Sequence, residues 1–309
     1  MIIVTGGAGF VGSHLCERLL KEGNKVICVD NFYNSKYPNI HNCLQNKNYK
    51  FVSLDVNHNY LEQKLNFNDC DSIVHLAANI HVDKSIINPV QTYDTNLYST
   101  LKLLEIVRKY DINRFILASS SEVYGTAQYK PIDEKHPLSA PHPYGASKIA
   151  ADRLCNSYIE TYGINIGISR CFNIFGPRQK GDVLGSFIPM TINKILKNKS
   201  PVIYGKGEQS RDYIFIDDVV ESYMKLINSK ESGEFNFGTG VENSILDITN
   251  KIIQNINKNI TPIFINGRSS EVNSLIADSS KAKDKLGWEP KVTFDEGLNK
   301  TIEWYRRNI

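Results

Sequence analysis

The sequence is poor in the features that would tie a protein of 309 residues to a metal, a disulfide framework, nucleic acid or a membrane. Its six cysteines, Cys16, Cys28, Cys43, Cys70, Cys155 and Cys171, form no C-x-x-C pair and no zinc-ligand spacing. They sit mostly in apolar or helix-forming stretches, so they read as reduced thiols, and no metal site is expected. Charge of one sign is also missing. The 36 Lys+Arg against 33 Asp+Glu leave a formal +3, too little for a field that captures nucleic acid or an anionic membrane. No stretch approaches the ~18 apolar residues of a membrane span. The start, MIIVTGGAGF, passes from a short apolar run straight into glycines, without the charged region, long apolar region and cleavage site of a signal peptide. A cytoplasmic protein is therefore expected. Gly/Ser linkers, low-complexity tracts and internal repeats are lacking too, and the length suffices to bury a core without staples. Small-molecule chemistry is left as the default.

What is there is alternation. Short β-branched runs at Ile2 to Val4, Lys25 to Val29, Ser72 to Leu76 and Arg114 to Leu117 are separated by longer amphipathic stretches, the pattern of βαβ units around a parallel sheet. The composition of Pro143 to Thr161 favours a helix that would carry Tyr144 near its start and Lys148 one turn later on the same face. A strand is expected at Ile166 to Arg170. Beyond Gly176-Pro177 the pattern is less regular, with a helix near Ile188 to Lys197 and strand-like pieces at Val202 to Tyr204 and Tyr213 to Ile216.

The turn Thr5-Gly6-Gly7-Ala8-Gly9-Phe10-Val11-Gly12 follows the first strand and opens a helix expected over Ser13 to Leu20. Gly6, Gly9 and Gly12 let backbone approach a phosphate and let the helix pack on the sheet, and the helix dipole favours a pyrophosphate there. A glycine-rich turn alone is also a plain strand-to-helix connection. Asp30 strengthens the first account, because it ends the second strand where a dinucleotide-binding fold places the acid that takes the ribose diol. Its carboxylate would repel a 2′-phosphate, so NAD is expected rather than NADP. Asp55 and Val56, after the strand-like Phe51 to Leu54, either line the adenine pocket or form an ordinary turn. Phe10, Val11, Asn31, Leu76, Ala77 and Ala78, all next to strand ends or the glycine turn, complete the expected cofactor set. The fold expected is therefore α/β: a Rossmann-like doubly wound parallel sheet over residues 1–170, with 171–309 mainly a smaller substrate-binding lobe that sends some segments back to the first unit.

A phenol with a pKa near ~10 is a poor base at neutral pH, but a nearby ammonium stabilises its phenolate. Tyr144 and Lys148 have that spacing, and Ser120, at the end of a strand, is placed to hydrogen-bond the same substrate hydroxyl. A lone Tyr-x-x-x-Lys occurs by chance in chains of this size; its weight comes from following a dinucleotide-binding half.

At this point the chain resembles the extended short-chain dehydrogenase/reductases that act as NAD-dependent nucleotide-sugar epimerases and dehydratases. The resemblance runs essentially end to end through TGGAGFVGSH, HLAANIHVDKS, SSSEVYG, PYGASK, RCFNIFGPRQ, YGKGEQSRDYIFIDDV and SKAKDKLGWEP. It implies a UDP- or dTDP-hexose as substrate, and a homodimer formed through the helices that follow Asn96 and Tyr144. It also implies substrate contacts from Asn173, Arg178, Arg211 and Arg268, with His81, Lys84 and Ser121 beside the sugar. Arginine suits a diphosphate because its planar fork makes paired hydrogen bonds, although a polar loop starting a helix accounts for His81 and Lys84 equally well. Glu122, two residues after Ser120, is placed to remove a C5 proton, and SSSEVYG with HVDKS therefore looks more like a 4,6-dehydratase. GPRQ and the tail SSEVNSLIADSSKA look closer to UDP-glucose 4-epimerases. Ser121, where many dehydratases carry Asp, keeps a UDP-glucuronate decarboxylase open as a third reading.

Overall fold

The computed structural model describes residues 1–181, 186–266 and 274–308. Strands that are apolar on both sides need cover on both sides. Ile3, Ile27, Val29, Ile73, Phe115 and Leu117 pack into one hydrophobic layer, while Val4, Val26, Cys28, Val74 and Ile116 of the same strands pack into another. Successive side chains thus feed opposite faces of one sheet.

The strands are β1 (Ile2–Thr5), β2 (Val26–Asp30), β3 (Tyr49–Ser53), β4 (Ser72–His75), β5 (Arg114–Ala118), β6 (Ile166–Cys171), β7 (Asn173–Phe175), β8 (Val202–Tyr204), β9 (Ser210–Phe215), β10 (Gly233–Phe237), β11 (Glu242–Ser244), β12 (Ile263–Ile265) and β13 (Ser274–Leu275). Seven of them form a sheet in the order β10-β6-β5-β4-β1-β2-β3, parallel throughout. The fold is the Rossmann-like parallel sheet flanked by helices that the alternation predicted. Strand order reverses between β1 and β4, and the crevice at the carboxyl ends of those strands is where such sheets bind ligands.

Beyond residue 171, β10 joins this sheet beside β6, with Phe235 opposite Ser169, and the helix Ile216–Ile227 packs on the helix Phe10–Lys21. The other late strands make a sheet of β11-β9-β13 with β7 paired to β9, and a β12-β8 pair. Helices Phe187–Leu196, Ile245–Ile256 and Phe294–Asn308 pack with them.

Most element boundaries shift by one to three residues from the sequence expectation, and two of the shifts have a local cause. The first helix starts at Phe10 rather than Ser13 because Gly9 is its N-cap. The strand expected over Tyr213 to Ile216 ends at Phe215, since Ile216 already opens a helix whose first turn carries Asp217 and Asp218, a charge pattern that suits a helix start. All six cysteines are free and buried. Among the described residues no helix is long and apolar enough to cross a membrane.

Candidate active site

Backbone builds one side of the site. Gly6 has φ +68°, and a Cβ there would lie 2.6 Å from the Ala77 nitrogen; one on Gly12 would lie 2.3 Å from the Gly6 carbonyl oxygen. Neither position tolerates a side chain, so the turn after β1 presses against the loop after β4 and the first helix presses against the turn. Gly9 offers that helix no side-chain cap, and its first turn has no acidic residue. Its amides are left for an anion.

Asp30 is 8% exposed. Its Oδ1 accepts from the Phe32 amide (2.8 Å) and the Ser35 hydroxyl (2.7 Å), and its Oδ2 from the Ala8 amide (3.1 Å). It is no solvent-facing strand end; it ties the glycine turn to the loop after β2, with acceptor capacity left over for a hydroxyl. Asn31 donates to Asp55 at 2.7 Å. These residues, with Phe10, Val11, Val56, Leu76, Ala77 and Ala78, line one cleft of about 1650 Å³, larger than the ~300–1,000 Å³ usual for one small ligand. The donors and close approaches fit a dinucleotide.

Side chains build the other side. Tyr144 and Lys148 project from the helix Pro143–Tyr162 into the same cleft. Burial pushes the Tyr144 phenol up to about 12, while a hydrogen bond with the Ser120 hydroxyl pulls the other way. Burial also lowers the Lys148 ammonium to about 8, with the negative charge of Asp152 opposing. Lys148 donates to the Ala118 carbonyl at 2.7 Å. Ser120, Tyr144 and Lys148 therefore meet at the end of β5.

Glu122 lies in a short 3-10 turn, Ser121–Val123, whose start is capped by the Ser120 hydroxyl accepting the Glu122 amide at 3.2 Å. Its carboxylate is 3.2 Å from Nε2 of His142, and both residues line the cleft.

The substrate candidates divide. His81, Ser121, Asn173, Arg178 and Arg211 line the cleft. His81 also lies 3.3 Å from the Asn34 side-chain oxygen. Arg178 is engaged with Glu17 at 2.7 Å, so much of its fork ties the segment after β7 to the first helix rather than standing open for a diphosphate. Arg211 donates to the Ser210 carbonyl at 2.8 Å. Lys84 is not among the described residues lining the cleft, but its ammonium stands 5.4 Å over the ring of Tyr33, which does line it. Arg268 lies outside the described residues.

Sequence reasoning named Asn173 but missed Gln179, Asn193 and a set of long-range partners. The side-chain oxygens of Asn173, Gln179 and Asn193 are buried with no hydrogen-bond partner among the described residues, and all three residues line the cleft. Unmet acceptors of this kind cost about 1–3 kcal/mol each in a closed interior and suit a ligand rich in hydroxyls. Asn96 accepts the Asn79 amide (2.7 Å) and donates to Ser147 (2.9 Å), tying the loop after β4 to the Tyr144 helix. Asp152, one turn past Lys148, is fully buried against Arg170 of β6 at 2.8 Å. His75, held between Thr5 (2.7 Å) and Ser99 (3.0 Å), is driven by burial to about 3 and stays neutral. A polar residue inside an apolar strand is the one signal that pointed at His75.

Comparison with known proteins places this geometry. The family model described as GDP-mannose 4,6 dehydratase matches residues 3–301. A putative UDP-glucose 4-epimerase of Methanocaldococcus jannaschii is 37% identical over all of this chain and 99% of that protein. A UDP-glucose 4-epimerase from Thermotoga maritima, solved with UDP-glucose, superimposes with a TM-score of 0.94 at 31% identity, covering 99% of each chain. A dTDP-glucose 4,6-dehydratase from Streptomyces venezuelae, solved with NAD, gives 0.92 at 29% identity over 99% of this chain and 97% of that one. With a glycine turn at the strand-order reversal and a serine, tyrosine and lysine meeting across the cleft, the chain belongs to this family of extended short-chain dehydrogenase/reductases, the nucleotide-sugar epimerases and dehydratases.

Proposed function

We propose that the protein is an NAD-dependent nucleotide-sugar 4,6-dehydratase that converts an NDP-glucose to the 4-keto-6-deoxy sugar. The observation that carries this reading is Glu122, a carboxylate at the reacting end of the cleft, beside Ser120 and Tyr144. Held by the glycine turn and Asp30, NAD⁺ would supply a hydride acceptor for C4 and, once reduced, a hydride donor, and its positive ring would favour the Tyr144 phenolate. Tyr144 takes the proton of the C4 hydroxyl while the Ser120 hydroxyl orients it. Lys148 supplies positive charge below the phenol. The C4 ketone acidifies C5, and Glu122 removes that proton and passes it to the C6 hydroxyl, which departs as water, because Ser121 beside it is no acid. The C5–C6 alkene left behind takes a hydride at C6 and a proton from solvent at C5. The unmet acceptors of Asn173, Gln179 and Asn193 suit the hydroxyls or the amide of a nucleotide sugar.

A second reading, a 4-epimerase, is favoured by the likeness to the M. jannaschii protein; it needs room for the ketone to turn over, and no base at C5. Glu122→Gln separates the two. We expect C4 oxidation to survive and product to fall by at least about 100-fold, so that reduced nicotinamide accumulates on the enzyme. Unimpaired turnover with inversion at C4 would establish the epimerase. UDP-glucuronate, tried in parallel, tests for decarboxylation.

We also propose a homodimer through the helices that follow Asn96 and Tyr144. Val90, Tyr93, Leu97, Tyr98, Leu101 and Leu154 line an apolar surface groove there, and Ile87 and Val90 are 83% and 78% exposed. Exposed apolar residues grouped in this way mark an interface, and a second copy offers a self-complementary partner. Sedimentation showing a monomer at micromolar concentration would reject it.

A further inference from the structure

The residue before Pro143 makes two contacts where a helix cap needs one. His142 is the N-cap of the helix that carries Tyr144 and Lys148, and its Nδ1 accepts the Gly145 amide at 3.1 Å. A ring nitrogen that accepts an N–H carries no proton, so in this geometry the proton of the imidazole is on Nε2. That Nε2–H lies 3.2 Å from Oε2 of Glu122 and donates to it. The ring also lies nearly parallel to that of Tyr144, at 15° and 6.1 Å between centroids.

The usual caps, Ser, Thr, Asp and Asn, would close the helix start without reaching Glu122. Gly145 makes the arrangement possible. A Cβ there would stand 2.9 Å from the Glu122 carbonyl oxygen, 3.2 Å from Cε1 of His142 and 2.5 Å from the Ala140 side chain. Glu122 is thus held at both ends: Ser120 takes its amide and His142 takes its carboxylate. Pro143 at the first helical position fixes the backbone between the cap and Tyr144.

We propose that His142 is a positioning residue: with Nδ1 committed to the start of the Tyr144 helix, its Nε2–H sets the direction of the Glu122 carboxylate in the cleft. The proposal rests on the assignment of Glu122 as the base at C5. It makes the helix that presents the Tyr144 acid/base group also the element that aims the second base, so that both act on adjacent sugar carbons from one frame.

His142→Asn tests this, because asparagine keeps a cap acceptor but not the reach to Glu122. In the NAD-loaded protein, formation of reduced nicotinamide from the nucleotide sugar and the KM should stay within about threefold of native. Deuterium exchange at C5 and product formation should fall by about 10- to 100-fold, the cost of a misplaced reacting group. Nitrogen-15 NMR of the native protein should show the Nε2–H tautomer at His142, with its hydrogen-bonded proton signal lost in Glu122→Ala. An Nδ1–H tautomer, or native C5 exchange in His142→Asn, overturns the proposal. If the native protein exchanges no C5 proton with any nucleotide sugar, the base assignment fails instead, and the tautomer with its response to Glu122→Ala still decides whether His142 holds Glu122.

Discussion

Two helices begin at the cleft, and they begin in opposite ways. Phe10–Lys21 starts from a glycine that offers no side chain, and its first-turn amides have no capping side chain and no nearby acid. Pro143–Tyr162 starts from an imidazole that satisfies one of its own amides and reaches across to a carboxylate. The first end is left open, which suits a pyrophosphate held by backbone and dipole. The second is closed, and its contribution comes from side chains along one face: Tyr144, Lys148 one turn on, and Asp152 one turn beyond. One helix binds through what it lacks, the other acts through what it carries.

Breaking the second helix should have the largest effect. Tyr144→Phe removes the acid/base oxygen without touching the open helix end, so turnover should fall by about 10²- to 10⁴-fold with NAD still retained, measured by assay and by cofactor content. Activity within tenfold of native would take Tyr144 out of the mechanism.

Lys148 sharpens the contrast through stability. Its folded pKa of about 8 lies below the ordinary value of 10.5, so between those pH values the unfolded chain binds more protons and stability rises with pH. The burial cost is felt in full below pH 8 and is relieved by pH 10.5, a change of about 3 kcal/mol at most. Native protein should gain on Lys148→Met across that window in denaturant unfolding. Parallel stability curves would show that Lys148 is not desolvated as described.

Gly12→Ala strikes the first helix. Its Cβ would meet the Gly6 carbonyl at 2.3 Å, and relieving such a clash costs about 1–3 kcal/mol. NAD affinity should weaken by about 10- to 100-fold, while the Tyr144 helix and its pairing with Ser120 survive. Unchanged affinity, read by calorimetry, would mean that the glycine turn does not hold the cofactor.

The same contrast explains what could be read in advance. Glycines at Gly6, Gly9 and Gly12, Asp30 at a strand end, and the one-turn spacing of Tyr144 and Lys148 are local patterns, which a sequence displays directly and which gain weight from occurring together in this order. His142 meeting Glu122, Asn96 meeting Ser147 and Asp152 meeting Arg170 arise from packing between elements separated in the chain, and no periodicity announces them. Lys84 belongs with these, because its ammonium stands over the ring of Tyr33 from the loop after β2. β10 was invisible because GEFNF alternates over so few residues, yet it completes the main sheet beside β6.

The most direct test of Glu122 as the C5 base is the product itself. Native protein supplied with NAD⁺ in D₂O should be offered UDP-glucose, dTDP-glucose, their N-acetyl analogues and UDP-glucuronate, and the products weighed by mass spectrometry. The account predicts a product lighter by one water that has gained deuterium from the solvent. A product of unchanged mass, inverted at C4 by NMR and free of deuterium at C5, would contradict it.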